Sequence, residues 1–275
     1  MPEMPEVETI RRQVAPCVEG RCIIDAWADL PRITRPSVQA FLDGVRGRRI
    51  MAAQRRGKQM YFPLDDGGVL RIHLGMTGRL EVEPGMGEPP SRAHVHGVLT
   101  LSGGHRLVFI DPRTFGEIGV EPDLTFLEGL GPEPLDGDFD EAAMADRLRA
   151  RRVAIKTALL DQRVVAGIGN IYADEICFLA GVHPARVAAG ISRARLRRLV
   201  SHMRPVLERA VEARGATARP TGRYYDIFGQ SGEYPTLVYG RAGQACPTCC
   251  TTIRRGVLGA GRSARAYHWC SRCQR

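Results

Sequence analysis

Two pairs of cysteines at fixed spacing constrain this chain more than any other feature. Cys246-Pro-Thr-Cys249 and Cys270-Ser-Arg-Cys273 are separated by twenty residues. A two-residue gap lets both thiolates of a pair reach one tetrahedral ion, the spacing of a structural zinc knuckle. Gly256 to Gly261 supplies a hairpin tip between the pairs, flanked by Thr251-Thr-Ile253 and Ala266-Tyr-His-Trp269. The segment therefore reads as a short β-ribbon pinned by one structural zinc ion on Cys246, Cys249, Cys270 and Cys273. Two disulfides are the alternative, disfavoured by Cys17, Cys22 and Cys177, which read as scattered buried thiols. Cys250 competes with Cys249 as a ligand, and the two-residue gap favours Cys249.

Upstream, hydrophobic periodicity divides the chain. Pro5 to Ala15 has helical spacing, with Val7, Ile10 and Val14 on one side, and Pro36 to Val45 suggests a second short helix. Short apolar or alternating runs at Met60–Leu64, Val69–Leu74, Arg79–Glu83, Val95–Leu101 and Arg106–Ile110 read as strands, with Ser102-Gly103-Gly104 as a hairpin turn. A β-rich domain over 1–125 is expected, then a Pro/Gly/acid linker over 126–138. Helical patterns at Glu141–Arg151, Ala154–Asp161, Ile171–Ala180 and Ser192–Arg214 define a domain over 139–235. The ribbon takes 236–275. The class is α+β, and 275 residues with 44% apolar content suffice for more than one core. No run approaches the roughly 18 apolar residues of a membrane span, and no signal-peptide pattern opens the chain, so a cytoplasmic location away from membranes is expected; a monomer is the expected state.

Lys and Arg number 39 against 30 Asp and Glu, a formal charge of +9. A zinc ion on four thiolates would make it +7. The distribution is more telling: residues 117–146 hold ten acids and no Lys or Arg, whereas 246–275 hold six arginines and no acid. A polyanion would meet the ends of the sequence and not its middle. Arg254, Arg255, Arg262 and Arg265 on the ribbon are placed to meet phosphates. Only Lys58 and Lys156 are lysines. In a chain that otherwise uses arginine, those two positions call for a compact ammonium instead of a planar fork.

Chemistry concentrates at the start. Removal of Met1 would leave Pro2 as a free secondary amine beside Glu3; a retained Met1 would make it an unreactive amide. A terminal amine titrates near pH ~8, so part of it is an unprotonated nucleophile at neutral pH. Attack on a sugar C1′ would expel a base, with a carboxylic acid such as Glu3 protonating the sugar oxygen. Two loops carry side chains suited to wedging into a duplex: Met76 in His73-Leu-Gly-Met-Thr-Gly78, and Arg113 and Phe115 in Asp111-Pro-Arg-Thr-Phe-Gly116. Ala166-Gly-Ile-Gly-Asn-Ile-Tyr172 is a glycine-rich turn into a helix, where free N–H groups and Asn170 suit a phosphate.

These segments, with Ile155-Lys-Thr-Ala-Leu-Leu-Asp-Gln162, Val238-Tyr-Gly-Arg241 and the four-cysteine finger, occur in the order seen in the formamidopyrimidine-DNA glycosylase / endonuclease VIII family. The chain resembles that family along its whole length, and Pro5-Glu-Val-Glu8 resembles the formamidopyrimidine branch. The resemblance implies a β-sandwich N-terminal domain, a helix-two-turn-helix domain and a zinc ribbon. It implies a bifunctional DNA glycosylase and abasic-site lyase of base excision repair, acting on oxidised purines in double-stranded DNA at the bacterial nucleoid. Pro2 matches the nucleophile, Glu3 the acid that opens the sugar, Glu6 a supporting carboxylate and Lys58 the catalytic-domain lysine that contacts the phosphate and influences base removal and elimination. His94, Asn170 and Arg265 match phosphate ligands, and Lys156, in the helix-two-turn-helix region, is expected to bind DNA as well. Met76, Arg113 and Phe115 match the side chains that fill the gap left by a flipped nucleotide, Arg113 facing the orphan cytosine.

The match is imperfect where the lesion is read. Residues 215–229 lie where the oxidised-purine branch carries a base-capping loop, but lack its Thr-Leu-Arg-Asp run and place Pro220 where a backbone N–H is needed. Ala93, Thr114 and Cys250 stand where the family usually has an acid, an arginine and a glycine. Two other readings follow: a glycosylase of the same scaffold for oxidised pyrimidines, and a non-catalytic zinc-dependent binder of damaged DNA.

Overall fold

The computed structural model describes residues 2–216 and 224–275. Met1 and residues 217–223, with Pro220, lie outside the described residues. Internal contacts divide the chain into two units, Met1–Glu128 with Tyr224–Gly232, and Gly129–Arg223 with Glu233–Arg275. Sequence reasoning puts 224–232 with the helical domain. Its side chains put it with the first unit: Tyr224 and Ile227 are buried in that core, and Asp226 accepts a hydrogen bond from the Gln13 amide at 2.9 Å.

In the first unit, helix α1 (Met4–Val18) leads into strand β1 (Ile23–Ala28), strand β2 (Thr34–Arg35) and helix α2 (Val38–Val45). Strands β3 (Gln54–Arg56), β4 (Gln59–Pro63), β5 (Val69–His73), β6 (Arg79–Pro84), β7 (Val95–Leu101), β8 (His105–Ile110) and β9 (Glu117–Glu121) follow. They form two sheets, β1-β7-β8-β6 and β2-β9-β5-β4-β3. Alternation explains the sandwich: Leu99, Leu101, Leu107 and Phe109 of one sheet and Met60, Phe62, Leu70, Ile72 and Ile118 of the other share one core. Val7, Ile10, Val14 and Val18, at helical spacing on α1, close onto it, as do Phe41 and Val45 of α2. The opposite side of β7 and β8 carries a smaller cluster of Val95, Val98, Val108 and Ile110, covered by Trp27.

The second unit begins with helices α3 (Glu141–Arg149), α4 (Ile155–Leu160) and α5 (Asn170–Ala180). The run expected as one helix over 192–214 is two, α6 (Arg193–Ser201) and α7 (Met203–Glu212). Pro205 explains the break, since it lacks an N–H and its ring crowds the carbonyl four residues back, at Ser201. Strands β10 (Ile253–Leu258) and β11 (Arg265–Cys270) pair antiparallel as the ribbon, Ile253 opposite Cys270 and Leu258 opposite Arg265. No described helix is long and apolar enough to cross a membrane.

Candidate functional site

The N-terminal carboxylates are built into the start of α1. Glu3 is its N-cap, and Glu6 Oε2 accepts a hydrogen bond from the Glu3 N–H at 2.8 Å. Pro5 occupies a first-turn position where no N–H is required. Pro2 is buried, and Glu3 and Glu6 are each 1% exposed. One turn further, Glu8 receives hydrogen bonds from Arg11 and Arg12 and from Arg55 Nε at 3.1 Å. Burial opposes its charge, but Arg11, Arg12 and the charge of Arg55 prevail and hold its carboxyl down at about 2. Arg55 also donates to the Gly57 carbonyl at 3.0 Å. The Glu8–Arg55 pair thus ties α1 to the β3–β4 turn that carries half-buried Lys58. Lys58 lies near enough to matter to His73, which burial and then the charges of Lys58 and Arg71 push down to about 4. His73 is therefore neutral at physiological pH.

His73 opens the first wedge loop, and Asp111 organises the second. Fully buried Asp111 accepts from the Thr77 hydroxyl at 2.5 Å and from the N–H groups of Arg113, Phe115 and Gly116 at 3.2, 2.8 and 2.7 Å. One carboxylate thereby shapes residues 111–116 and joins them to residues 74–78. Gly75, at φ +56°, lies so close that an added Cβ would stand 2.4 Å from the Phe115 carbonyl group, so only glycine fits. The loops leave outside what a stable core would take in: Met76 is 37% and Phe115 52% exposed. Exposed Arg113 stacks its guanidinium 4.8 Å from the Phe115 ring centroid. Thr114 holds φ +53°, a strained value for a β-branched residue. His94 is exposed, also at positive φ (+67°), and its carbonyl accepts from the Asp111 N–H at 2.9 Å.

In the second unit, Asn170 is the first residue of α5 and donates from its amide to the Tyr239 hydroxyl at 3.1 Å. Glu175 accepts from the N–H groups of Leu237, Val238 and Tyr239 at 2.7, 3.0 and 2.9 Å, clamping the Val238-Tyr-Gly-Arg241 motif. Burial pushes Glu175 up to about 7 against those three bonds. Arg254, Arg255 and Arg265 are exposed on the ribbon. Lys156 corrects an expectation. It has no exposed surface, and its ammonium donates to the Asn170 carbonyl (3.1 Å), Asp174 Oδ1 (2.7 Å) and the Ala266 carbonyl (2.7 Å). With three N–H groups and three protein acceptors, it has nothing left for a phosphate.

The sulfurs of Cys246, Cys249, Cys270 and Cys273 all lie within 4.8 Å of one another. The 249–270 and 249–273 separations are 3.4 Å, and 246–273 is 3.9 Å. These are far beyond a disulfide bond of about 2.05 Å. They approach the ~3.8 Å edge of a tetrahedron with ~2.3 Å metal–sulfur bonds. The four thiols therefore fit one tetrahedral metal ion. Cys250 is exposed and outside the cluster.

Pro2, Glu3, Glu6, Lys58, Met76, His94, Arg113 and Phe115 belong to the first unit; Lys156, Asn170, Arg265 and the four cysteines belong to the second. Asp111, Glu8, Asp174 and Tyr239 escape sequence reasoning. A buried aspartate before Pro-Arg and an Asp-Glu pair inside an apolar helix were the available signals.

The family profile described as the formamidopyrimidine-DNA glycosylase N-terminal domain matches residues 1–118, and that described as the H2TH domain of the same glycosylase matches 130–221. A formamidopyrimidine-DNA glycosylase of Chloroflexus aurantiacus is 41% identical over 281 residues, covering 100% of this chain and 98% of the relative. The MutM (Fpg) structure from Thermus thermophilus is 37% identical with a TM-score of 0.87, over 99% of this chain and 98% of that one. Lactococcus lactis Fpg bound to abasic-site DNA is 30% identical with a TM-score of 0.89, over 99% of each chain. The same Lactococcus protein has been seen with DNA containing an oxidised pyrimidine and, as a mutant, with Fapy-dG DNA.

Proposed function

The chain belongs to the formamidopyrimidine-DNA glycosylase family, and on that premise we propose that this DNA glycosylase of base excision repair removes oxidised purines and nicks the strand through its N-terminal proline. The observation that carries the reading is the pair of Asp111-anchored loops. They present Met76, Arg113 and Phe115 together on joined loops, Met76 and Phe115 37% and 52% exposed and Arg113 stacked on Phe115, side chains of the kind that fill the gap left by an extruded nucleotide.

The steps follow from the residues. The wedge residues fill the gap left by an extruded nucleotide, Arg113 offering its fork to an orphan cytosine. The Pro2 amine attacks C1′, the C1′–N bond to the base breaks and the base leaves with a proton. Glu3 protonates the ring oxygen as the sugar opens, leaving an iminium between Pro2 and C1′. Loss of a C2′ proton breaks the C3′–O bond, and a second elimination breaks the C5′–O bond. Glu6, hydrogen-bonded to the Glu3 N–H, holds the start of the helix in place. Lys58 and His94 meet phosphates from the first unit, Asn170 and Arg265 from the second. The four cysteines hold a structural zinc ion, which supplies cross-linking and no chemistry.

A second reading, excision of oxidised pyrimidines, is favoured by the altered sequence of 215–229. Borohydride trapping on 8-oxoguanine:cytosine, thymine-glycol and abasic duplexes separates the two. Pro2→Gly should cut trapping severely while duplex binding is largely kept, and Glu3→Gln should bind yet lose base excision. Undiminished trapping by Pro2→Gly would shift the nucleophile to another amine. Intact mass of the N-terminus reports whether Pro2 is free, and a retained Met1 would favour the non-catalytic binder.

A further inference from the structure

Lys156 is the most deeply buried cation described in the chain, and the proposed mechanism leaves it without a task. We propose that it is a positioning residue that places Asn170 and Arg265 in one frame, so that both phosphate-contacting side chains of the second unit depend on a single ammonium. This rests on the phosphate-contact reading of those two residues given above.

The geometry is specific. Asn170 opens α5 and gives its carbonyl to Lys156 Nζ at 3.1 Å. Ala266 directly follows Arg265 on β11 and gives its carbonyl to the same nitrogen at 2.7 Å. Asp174, one helical turn beyond Asn170, takes the third proton at 2.7 Å through Oδ1. Its Oδ2 accepts from the His268 N–H at 2.8 Å and faces His268 Nδ1 at 3.2 Å. Strand β11 is thus held at 266 by the cation and at 268 by its anion, both anchored to the first turns of α5. The Asn170 side chain joins the same assembly, because Tyr239 accepts from its amide and turns its ring toward Lys156 Nζ, 5.8 Å from the centroid.

A guanidinium would not serve here. Three acceptors surround a point, and a planar fork with five N–H groups would leave buried donors unpaired. This accounts for one of only two lysines among 39 basic residues. A buried ion pair adds little stability over apolar groups of the same volume. Its contribution here is registration of the two side chains proposed to meet phosphates.

The test is a mutant cycle on a duplex carrying a tetrahydrofuran abasic-site analogue, with Kd measured across a range of salt. Arg265→Ala and Asn170→Ala should each weaken binding about tenfold or more, as expected for charge-assisted hydrogen bonds. In a Lys156→Met background each should cost less than about twofold, because Lys156→Met already forfeits both contacts. The salt slope of Lys156→Met should fall by about 1, and adding Arg265→Ala should lower it no further. A slope falling by about 2 in that double variant, with additive losses, would mean that Lys156 meets a phosphate itself. Additive losses with the slope unchanged by Lys156→Met would mean that it only stabilises the fold. Either result overturns the proposal while leaving the interface intact, whereas wild-type binding by both single variants would overturn both. Should Lys156→Met not fold, Lys156→Met with Asp174→Asn removes both charges, keeps an acceptor for His268 and enters the same cycle.

Discussion

Glu8 shows how a single side chain can connect a reactive end to the body of its domain. It is 7% exposed and surrounded by Arg11, Arg12 and Arg55, the last with a side chain only 8% exposed. Its carboxyl is held down at about 2 against an ordinary 4.5. The native state therefore keeps the carboxylate ionised where the unfolded chain has already taken up a proton. Stability from this group is complete above about 4.5 and is lost as pH falls toward about 2. Glu8→Gln should cost on the order of 3 kcal/mol at neutral pH, because it removes the carboxylate charge that Arg11, Arg12 and Arg55 surround. The gap between variant and wild type in urea unfolding should narrow as pH drops through that window. A gap independent of pH would show that the carboxylate carries no net interaction. Cys250 illustrates the opposite case, a residue whose place is set by backbone alone. At φ +62° and exposed, it fills a position that glycine occupies without strain.

At the level of elements, the legible parts were those whose pattern reports burial directly. Strands β4, β5, β7 and β8 alternate or run apolar because one side faces the sandwich core, and α1 shows its apolar stripe. Strand β9 was hidden because charges flank it. Glu117 and Glu121 pair with Arg71, and Glu117 also with Arg35, so its ends look like an acidic loop until the partners are known. The wedge loops were legible as motifs, yet their organiser was not. An aspartate before Pro-Arg reads as a turn residue, and only the fold reveals that it accepts four hydrogen bonds. Lys156 was legible as an exceptional lysine, but its partners are 14 to 110 residues away. Asp111→Asn gives the element a direct test. An amide would present N–H groups to the Phe115 and Gly116 donors, costing about 1–3 kcal/mol and loosening both loops. Excision from duplex should fall, while trapping on a single-stranded abasic oligonucleotide should persist. Equal losses on both substrates would assign Asp111 to the fold alone.

At the scale of the whole molecule, the first unit and the ribbon of the second draw their stability from sources that differ in kind. The first unit rests on an extended apolar core drawn from both sheets and two helices. Among the described residues, the ribbon of the second has a small cluster whose buried members are Phe178, Val238, Cys246, Ile253 and Cys270, two of them proposed metal ligands. So small a core does not hold a hairpin without a cross-link. Its other attachments include the polar contacts of Lys156 to Ala266, Asp174 to His268, and Gln274, which accepts from the Cys270 N–H and donates to the Val182 carbonyl at 2.9 Å each, and edge-on ring contacts of His183 with Tyr267 and Trp269 and of Tyr239 with His268. Stripping the metal with a chelator, or Cys246→Ser, should therefore release the ribbon without unfolding the sandwich. Hydrogen exchange should show amides of β10 and β11 losing protection while those of β7 and β8 keep theirs, and duplex affinity should fall with the loss of Arg265. Metal analysis of the intact protein should return one zinc per chain. A fully reduced, metal-free protein with wild-type DNA affinity would remove the ribbon from the interface. Normal protection of β10 and β11 in that protein would show that these polar and aromatic contacts hold the ribbon without metal.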